Sequence, residues 1–231
     1  MSKMNNCKAK YFSLLGDSVS TLDGYSEPDF ASYYSGERKA YADVFAPADT
    51  WWGQVIAALG GELLVNDSFS GSTVCRLPEH AIPSYACSDE RTSSLGRGGR
   101  LPDVIMIFMG INDWGYGVKI FPDEGEAETL SVFSVAYRCM LDKLRKNYPQ
   151  SELWCLTLPA GCPEQRGECF QGRHFRHRLE EYCGAICTCA EQCGCRVIDL
   201  YHAVEAFLTV DGFHPNAQGM KTLAEAMLGQ L

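Results

Sequence analysis

The stretch Lys10-Tyr-Phe-Ser-Leu-Leu-Gly-Asp-Ser-Val-Ser20 begins with an apolar run and ends in a small, polar turn. A short apolar run bounded by glycine and polar residues is typical of a buried strand that leads into a loop. Four similar runs recur at wide intervals, at residues 63–66, 104–109, 153–158 and 196–200. Together with 11–15, they predict five strands.

Segments with helical periodicity lie between these strands and after the last one. They cover residues 51–59, 130–147, 175–192 and 217–228. Strands that alternate with helices form βαβ units, which build a parallel sheet covered by helices on both faces. No linker rich in proline, glycine or serine divides the chain, so we expect an α/β fold in which residues 1–231 form one domain.

The composition excludes several kinds of partner. The chain has 231 residues, 46% of them hydrophobic, and a formal net charge of -9. Binding to a phosphate backbone uses clustered lysine and arginine, which this acidic chain does not display, so no nucleic-acid partner is expected. No apolar stretch is long enough to cross a bilayer, and the first residues lack the apolar core of a signal peptide. We therefore expect a cytoplasmic location without membrane insertion.

Twelve cysteines raise the question of zinc or disulfides. Five of them crowd into the stretch Cys183-Gly-Ala-Ile-Cys187-Thr-Cys189-Ala-Glu-Gln-Cys193-Gly-Cys195. The repeated Cys-x-x-Cys spacing of zinc sites is missing, and the step from Cys183 to Cys187 places both on one helix face as small hydrophobic residues. The spacing favours reduced packing cysteines over a metal site, so neither a metal nor a cofactor is expected.

Polar residues follow three of the predicted strands at the end where parallel sheets bind ligands. Ser18 follows the first strand, Gly71 in Phe69-Ser-Gly-Ser-Thr73 follows the second, and Asn112 in Gly110-Ile-Asn-Asp113 follows the third. Ligands of open α/β sheets bind in the crevice outside the carboxyl ends of the strands. The three residues are therefore expected to converge on one crevice.

A serine hydroxyl becomes a good nucleophile when a histidine takes its proton, with a carboxylate holding the far ring nitrogen. The stretch Asp211-Gly-Phe-His-Pro215 supplies both groups, because Asp211 and His214 are three residues apart. Acyl transfer also needs donors for the developing oxyanion. Asn112 offers a side-chain amide for this purpose, and Ser18 and Gly71 offer backbone N–H groups.

Each of these segments also fits an ordinary turn, because turn chemistry favours the same residue types. Their occurrence together and in order, each at a strand end or a helix start, favours catalysis. Asp17 and Asp113 adjoin the candidate catalytic residues, and their short side chains favour bracing of the loops by hydrogen bonds to the backbone.

With these motifs the chain resembles the SGNH hydrolases, also called GDSL-like lipases and acylhydrolases, over nearly its full length. Gly16-Asp17-Ser18 is similar to the first block of the family, Gly71 to the second, Gly110-Ile-Asn112-Asp113 to the third and Asp211-Gly-Phe-His214-Pro215 to the fifth. Valine replaces the usual leucine after Ser18, and Ile111 stands where threonine is frequent, but neither change removes a reacting group.

The resemblance implies a flavodoxin-like three-layer α/β/α sandwich whose five-stranded parallel sheet has the order 2-1-3-4-5. It also implies that Ser18 is the nucleophile, His214 the base and Asp211 the residue that orients it. The oxyanion hole would then comprise Gly71, Asn112 and the amide of Ser18.

The predicted activity is hydrolysis of an acyl ester through an acyl-enzyme, with a small-molecule or carbohydrate ester as substrate. Short acyl chains are favoured because residues 19–50 are rich in aromatic side chains and no long apolar lid is visible. Trp114 and Tyr116 follow Asn112 and are expected to overhang the crevice as a substrate platform. Three alternatives stay open: a lysophospholipase or thioesterase with the same triad, a binding protein on the same scaffold, and a zinc protein built on the cysteine cluster.

Overall fold

The structure, a computed structural model, describes residues 10–79, 84–161 and 176–231. Its sheet has five strands, and every neighbouring pair is parallel. The strands are β1 (Tyr11–Gly16), β2 (Glu62–Ser68), β3 (Val104–Phe108), β4 (Glu152–Leu156) and β5 (Arg196–Ile198). Their order in space is β2-β1-β3-β4-β5, which confirms the predicted topology.

The central strands are apolar because both of their faces are covered. All five residues of β3 are buried, and β1 is buried from Phe12 onward. Parallel strands in such a sheet carry continuous apolar runs in place of an alternating pattern. The predicted strands β3, β4 and β5 ended one or two residues beyond the carboxyl ends of the observed strands. Met109, Leu158 and Leu200 follow these strands and are buried in the core, but they do not pair with a neighbouring strand.

The helices alternate with the strands as predicted. The longer ones are α2 (Trp51–Ala58), α5 (Phe133–Asn147), α6 (Leu179–Gln192) and α8 (Ala217–Leu228). Helix α5 begins three residues later than predicted because Val132 N–H donates to the Thr129 carbonyl in a turn at 3.1 Å. Helix α6 begins at Leu179, where the Arg178 N–H donates to the Glu181 carboxylate at 2.7 Å; residue 175, the predicted start, lies outside the described residues.

Four short helices were not predicted. They are α1 (Glu37–Ala42), α3 (Asp89–Ser93), α4 (Ile111–Tyr116) and α7 (Leu200–Ala203). Helices of four to six residues are too short to show an apolar period, and their ends depend on local caps. Helix α3, for example, starts where the Ser88 hydroxyl accepts from the Arg91 N–H at 3.1 Å.

Helices cover both faces of the sheet. Helix α2 packs against α8, and α5 packs against α3 and α6. The chain crosses the sheet in one direction from β1 to β2 and in the opposite direction from β2 through β5. Because crossovers between parallel strands are right-handed, the group of α2 and α8 lies on one face of the sheet and the group of α3, α5 and α6 on the other. The result is a three-layer α/β/α sandwich, and Trp51 and Trp52 are both buried in its core at the start of α2.

The cysteines, a possible metal site and a possible membrane span can be assessed in the described residues. All nine cysteines in them are free, and Cys183 is buried on α6. No group of three His, Cys, Asp or Glu side chains within residues 10–79, 84–161 and 176–231 is arranged to hold a metal ion. In the same residues no helix has both the length and the apolar character needed to cross a membrane.

Candidate active site

Ser18 lies just beyond the carboxyl end of β1, which neighbours β3 at the point where the strand order reverses. It begins a single 3-10 turn, Ser18–Ser20, whose start is capped by the Asp17 carboxylate accepting from Val19 N–H at 3.1 Å. Gly16 is required just before it, because a Cβ there would lie 2.6 Å from Ser68 Oγ and 2.7 Å from Ser20 Cβ. The tight strand exit therefore fixes the Ser18 side chain at the crevice predicted from the sequence.

His214 brings its imidazole to the Ser18 hydroxyl from the loop before α8. The distance between His214 Nε2 and Ser18 Oγ is 2.8 Å, and the distance between His214 Nδ1 and Asp211 Oδ2 is 2.7 Å. The other oxygen of Asp211 accepts from the His214 N–H at 2.9 Å and the Phe213 N–H at 3.2 Å. Residues 211–214 thus form a turn in which the Asp211 carboxylate binds both the backbone N–H groups and the imidazole ring.

Asp211 stays ionised in this setting. Its partial burial favours the neutral acid, but the hydrogen bonds from the His214 ring, the His214 N–H and the Tyr33 hydroxyl outweigh burial and hold the pKa of Asp211 well below its usual range. An ionised carboxylate on Nδ1 fixes the ring orientation and stabilises the imidazolium that forms when Nε2 accepts a proton.

Asn112, Gly71 and Ser18 are the residues predicted to supply hydrogen-bond donors to an oxyanion. Asn112 lies in the first turn of α4, and its amide donates one N–H to the Ser72 carbonyl at 2.9 Å, which leaves its second N–H for another acceptor. Gly71 sits in the turn after β2 with a φ of 83°, a conformation that favours glycine. The backbone N–H groups of Gly71 and Ser18 donate to no other residue in the described part of the chain.

Two buried carboxyl groups hold the loops that carry these donors. Asp113 accepts from the Val74 N–H at 2.8 Å and from the Cys75 N–H at 3.0 Å, so it joins α4 to the segment after Gly71. The predicted bracing role of Asp17 and Asp113 is confirmed by these contacts. Burial raises the pKa of Asp17 to about 7 and that of Asp113 to about 6, although hydrogen bonds from the backbone oppose both shifts.

Arg91, which sequence reasoning did not single out, ties the strand ends together. Its guanidinium is fully buried and pairs with Asp67 at 2.6 Å. It also donates to the Gly16 carbonyl at 3.0 Å and to the Ser72 hydroxyl, so it touches the segments before Ser18 and after Gly71. An arginine in a short polar helix carries no sequence signal of this role, because all of these partners are remote in the chain.

Tyr33 is a second residue at the site that sequence reasoning did not identify. Its hydroxyl donates to Asp211 Oδ2 at 2.9 Å, and its ring stacks on the His214 imidazole. The sequence signal that could have drawn attention to it is the aromatic richness of residues 19–50.

Trp114 and Tyr116 differ in their surroundings. Trp114 is 6% exposed, its indole N–H donates to the His177 carbonyl at 2.9 Å, and its ring packs near Phe213 at a centroid distance of 5.6 Å. This packing supports the loop that carries His214, and the expected contact of Trp114 with substrate stays a prediction. Tyr116 is 40% exposed at the end of α4, and its contact with substrate stays a prediction.

Residues 10–162 match the family model described as GDSL-like lipase/acylhydrolase. A Bacteroides ovatus structure described as a GDSL-like lipase is 26% identical, with a TM-score of 0.70 over 96% of this chain and 98% of that chain. A Bacteroides uniformis structure with the same description is also 26% identical, with a TM-score of 0.71 over 96% of this chain and 95% of that one.

A more distant structure shares the fold. It is a carbohydrate acetylesterase from Sinorhizobium meliloti, which is 16% identical, with a TM-score of 0.66 over 96% of this chain and 97% of that chain. Among curated proteins, none matches this sequence.

Proposed function

Since the chain belongs to the GDSL-like lipase and acylhydrolase family, we propose that it hydrolyses acyl esters with Ser18 as nucleophile, His214 as general base and Asp211 as the group that orients it. One observation carries this assignment. The Ser18 hydroxyl, the imidazole and the carboxylate form an unbroken chain of hydrogen bonds, with separations of 2.8 and 2.7 Å.

The proposed reaction has two halves. Ser18 Oγ attacks the ester carbonyl while His214 Nε2 takes its proton, and the resulting oxyanion accepts hydrogen bonds from Asn112 and from the N–H groups of Gly71 and Ser18. The tetrahedral intermediate then expels the alkoxide, which receives the proton from His214. In the second half, His214 removes a proton from water and the hydroxide attacks the acyl-enzyme. The bond between the acyl carbon and Ser18 Oγ then breaks, His214 returns the proton to Ser18 Oγ, and the carboxylic acid is released.

The test of this mechanism is hydrolysis of p-nitrophenyl acetate by purified protein. Replacing the nucleophile in the Ser18→Ala variant is expected to lower kcat by at least about 10³-fold, because no other group forms the acyl-enzyme. The matched control is Ser35→Ala. The Ser35 hydroxyl lies in the connection between β1 and α2, donates to the Ser32 carbonyl and has no role in the proposed site. Unchanged hydrolysis by Ser18→Ala would contradict the mechanism.

Short acyl chains, including acetyl groups on a carbohydrate, are the proposed substrates. Phe30 and Phe69 pack edge to face with ring centroids 5.1 Å apart, and the Ser70 N–H joins their loops by donating to the Ala31 carbonyl at 2.8 Å. This half-buried pair lies beside Gly71 and offers an apolar surface on which a sugar ring can stack. The description of the Sinorhizobium meliloti neighbour as a carbohydrate acetylesterase is consistent with such a substrate.

A panel of esters separates this substrate class from the alternatives. Acetyl esters of sugars are expected to give a higher kcat/KM than esters of long fatty acids, lysophospholipids or acyl thioesters. A preference for long acyl chains would contradict the carbohydrate assignment and favour a lysophospholipase or thioesterase. Binding of an acetylated sugar without any turnover would favour a binding protein on the same scaffold.

A further inference from the structure

Tyr33 contacts both members of the acid–base pair. Its hydroxyl donates at 2.9 Å to Asp211 Oδ2, the oxygen that also lies 2.7 Å from His214 Nδ1. Its ring stacks on the imidazole with a centroid distance of 3.5 Å and an interplanar angle of 8°. The Tyr33 side chain therefore limits both the rotation of the carboxylate and the tilt of the imidazole.

The backbone of Tyr33 is tied to the nucleophile. Its N–H donates to Thr21 Oγ1 at 2.9 Å, and the Thr21 hydroxyl in turn donates to the Ser18 carbonyl at 2.8 Å. The next residue, Tyr34, donates its hydroxyl to the carbonyl of Pro215 at 2.7 Å, directly after His214 in the chain. One dipeptide thus joins the turn that carries the nucleophile to the loop that carries the base.

The charge around the imidazole gives Tyr33 two electrostatic effects. A phenol bound to Asp211 Oδ2 withdraws negative charge from the carboxylate, which weakens its attraction for an imidazolium. The aromatic face stacked on the ring acts the other way, because it attracts a cation. Two of the titratable groups near the imidazole contact it directly, Asp211 on its own loop and Tyr33 on the connection after β1. Arg38 lies over the Tyr33 ring at 4.9 Å from its centroid, and Tyr34 interacts electrostatically with Tyr33, Asp211 and Asp17.

We propose that Tyr33 is a positioning residue, an inference that rests on the proposed ester hydrolysis. Tyr33 holds the Asp211–His214 pair against Ser18 and adjusts how readily the imidazole takes up a proton. The hydroxyl and the ring have separable roles. The hydroxyl fixes the carboxylate, whereas the ring fixes the plane of the imidazole and stabilises its charged form.

Two substitutions separate these roles. Tyr33→Phe keeps the stack and removes the hydroxyl, so we expect kcat to fall about 10- to 150-fold with little change in KM, the size of one lost hydrogen bond to a charged group. More negative charge then remains on Asp211, so the acidic limb of the kcat/KM profile moves to higher pH by about 0.5 units. Tyr33→Leu removes the stack as well, so we expect a lower kcat still and an acidic limb at lower pH than that of Tyr33→Phe.

The control is Tyr148→Phe, which removes another buried tyrosine hydroxyl, one that accepts from the Leu95 N–H at 2.8 Å away from the site. It is expected to lower stability without moving kcat or the acidic limb. A purely structural role for Tyr33 would lower the melting temperature but leave the limb in place, and this result would overturn the inference.

Failure of this inference can be told apart from failure of the proposed function. If Ser18→Ala abolishes hydrolysis while Tyr33→Phe keeps the wild-type kcat and acidic limb, the positioning role is wrong and the ester hydrolase assignment stands. If Ser18→Ala retains hydrolysis, the proposed function is wrong and the role of Tyr33 falls with it. Because Tyr33→Phe is nearly isosteric, the test holds even if Tyr33→Leu does not fold.

Discussion

Ser18 and His214 are 196 residues apart in the chain, yet Ser18 Oγ and His214 Nε2 lie 2.8 Å apart. The sequence indicated which side chains could react, because a serine, a histidine and an aspartate followed strand ends or preceded a helix. It did not indicate what holds them, because Tyr33 and Asp211 meet across 178 residues of chain. At the scale of single residues, then, the sequence indicated the candidate reacting groups and the bracing by Asp17 and Asp113, but not the support from Tyr33.

The side-chain amide of Asn112 provides a prediction at this scale. If it donates to the oxyanion, Asn112→Ala lowers kcat for p-nitrophenyl acetate by about 10²- to 10³-fold, because a donor of this kind is worth about 2.7 to 4 kcal/mol in the transition state. KM is expected to change little, since the donor acts after the carbonyl becomes tetrahedral. Steady-state kinetics at the pH optimum measures both quantities.

The matched control for Asn112 is Asn147→Ala. Asn147 also donates its amide to a backbone carbonyl, that of Thr92, at 2.8 Å, but it lies at the end of α5. It is expected to lose stability without losing kcat. Equal losses of kcat in both variants would show that the effect of Asn112→Ala comes from the fold and not from the oxyanion.

At the scale of elements, the strand ends depend on the fully buried Arg91 on α3. It pairs with Asp67 at the end of β2 and donates to the Gly16 carbonyl at the end of β1. Arg91→Met leaves the Asp67 carboxylate buried without its cation, so the free energy of unfolding is expected to fall by about 3 to 5 kcal/mol. Urea unfolding followed by circular dichroism measures the change.

Arg97→Met is the control for this prediction. Arg97 pairs with Glu27 at the same separation of 2.6 Å, but its side chain is 59% exposed. A solvated pair of this kind contributes about 1 kcal/mol or less. If the two variants lose similar amounts of stability, the buried pair does not hold the strand ends as described.

The elements themselves differ in how far their sequences predict them. Strand β3 was predicted closely, because Val104–Phe108 is a continuous apolar run that no other element accommodates. Helix α4 was not predicted, since its six residues lie between Gly110 and Gly117, which has a φ of 66°. Its existence depends on contacts such as that of Asp113 with Val74 N–H, which join segments distant in sequence.

At the scale of the whole molecule, stability is expected to depend on pH through the buried carboxyl groups of Asp17 and Asp113 and through the partly buried one of Asp211. The pKa of Asp17 is about 7 in the folded protein, so the folded state keeps a proton that the unfolded state releases above pH of about 4. Stability from this group is therefore full at low pH and is lost as pH rises toward 7. Asp211 acts in the opposite sense, because its lowered pKa gives stability that is lost as the pH falls.

The corresponding variant is Asp17→Asn, which keeps an acceptor for the Val19 N–H but cannot ionise. Between pH 5 and 7.5 the free energy of unfolding is expected to decline less in Asp17→Asn than in the wild type. The difference between the two declines is roughly 2 to 4 kcal/mol. Asp113→Asn is expected to show a smaller difference that is complete at a pH of about 7, since the pKa of Asp113 is about 6. Parallel stability curves for wild type and Asp17→Asn would contradict the buried-carboxyl account.

The most direct test of the proposed mechanism is mass-spectrometric peptide mapping after reaction with a fluorophosphonate. The account predicts a single adduct on Ser18, and it predicts that His214→Gln slows this labelling by at least about 100-fold, because the base that activates the hydroxyl is lost. Ser20, two residues away and fully buried, is expected to stay unmodified. An adduct on a different residue, or labelling of Ser18 at the wild-type rate in His214→Gln, would contradict the account.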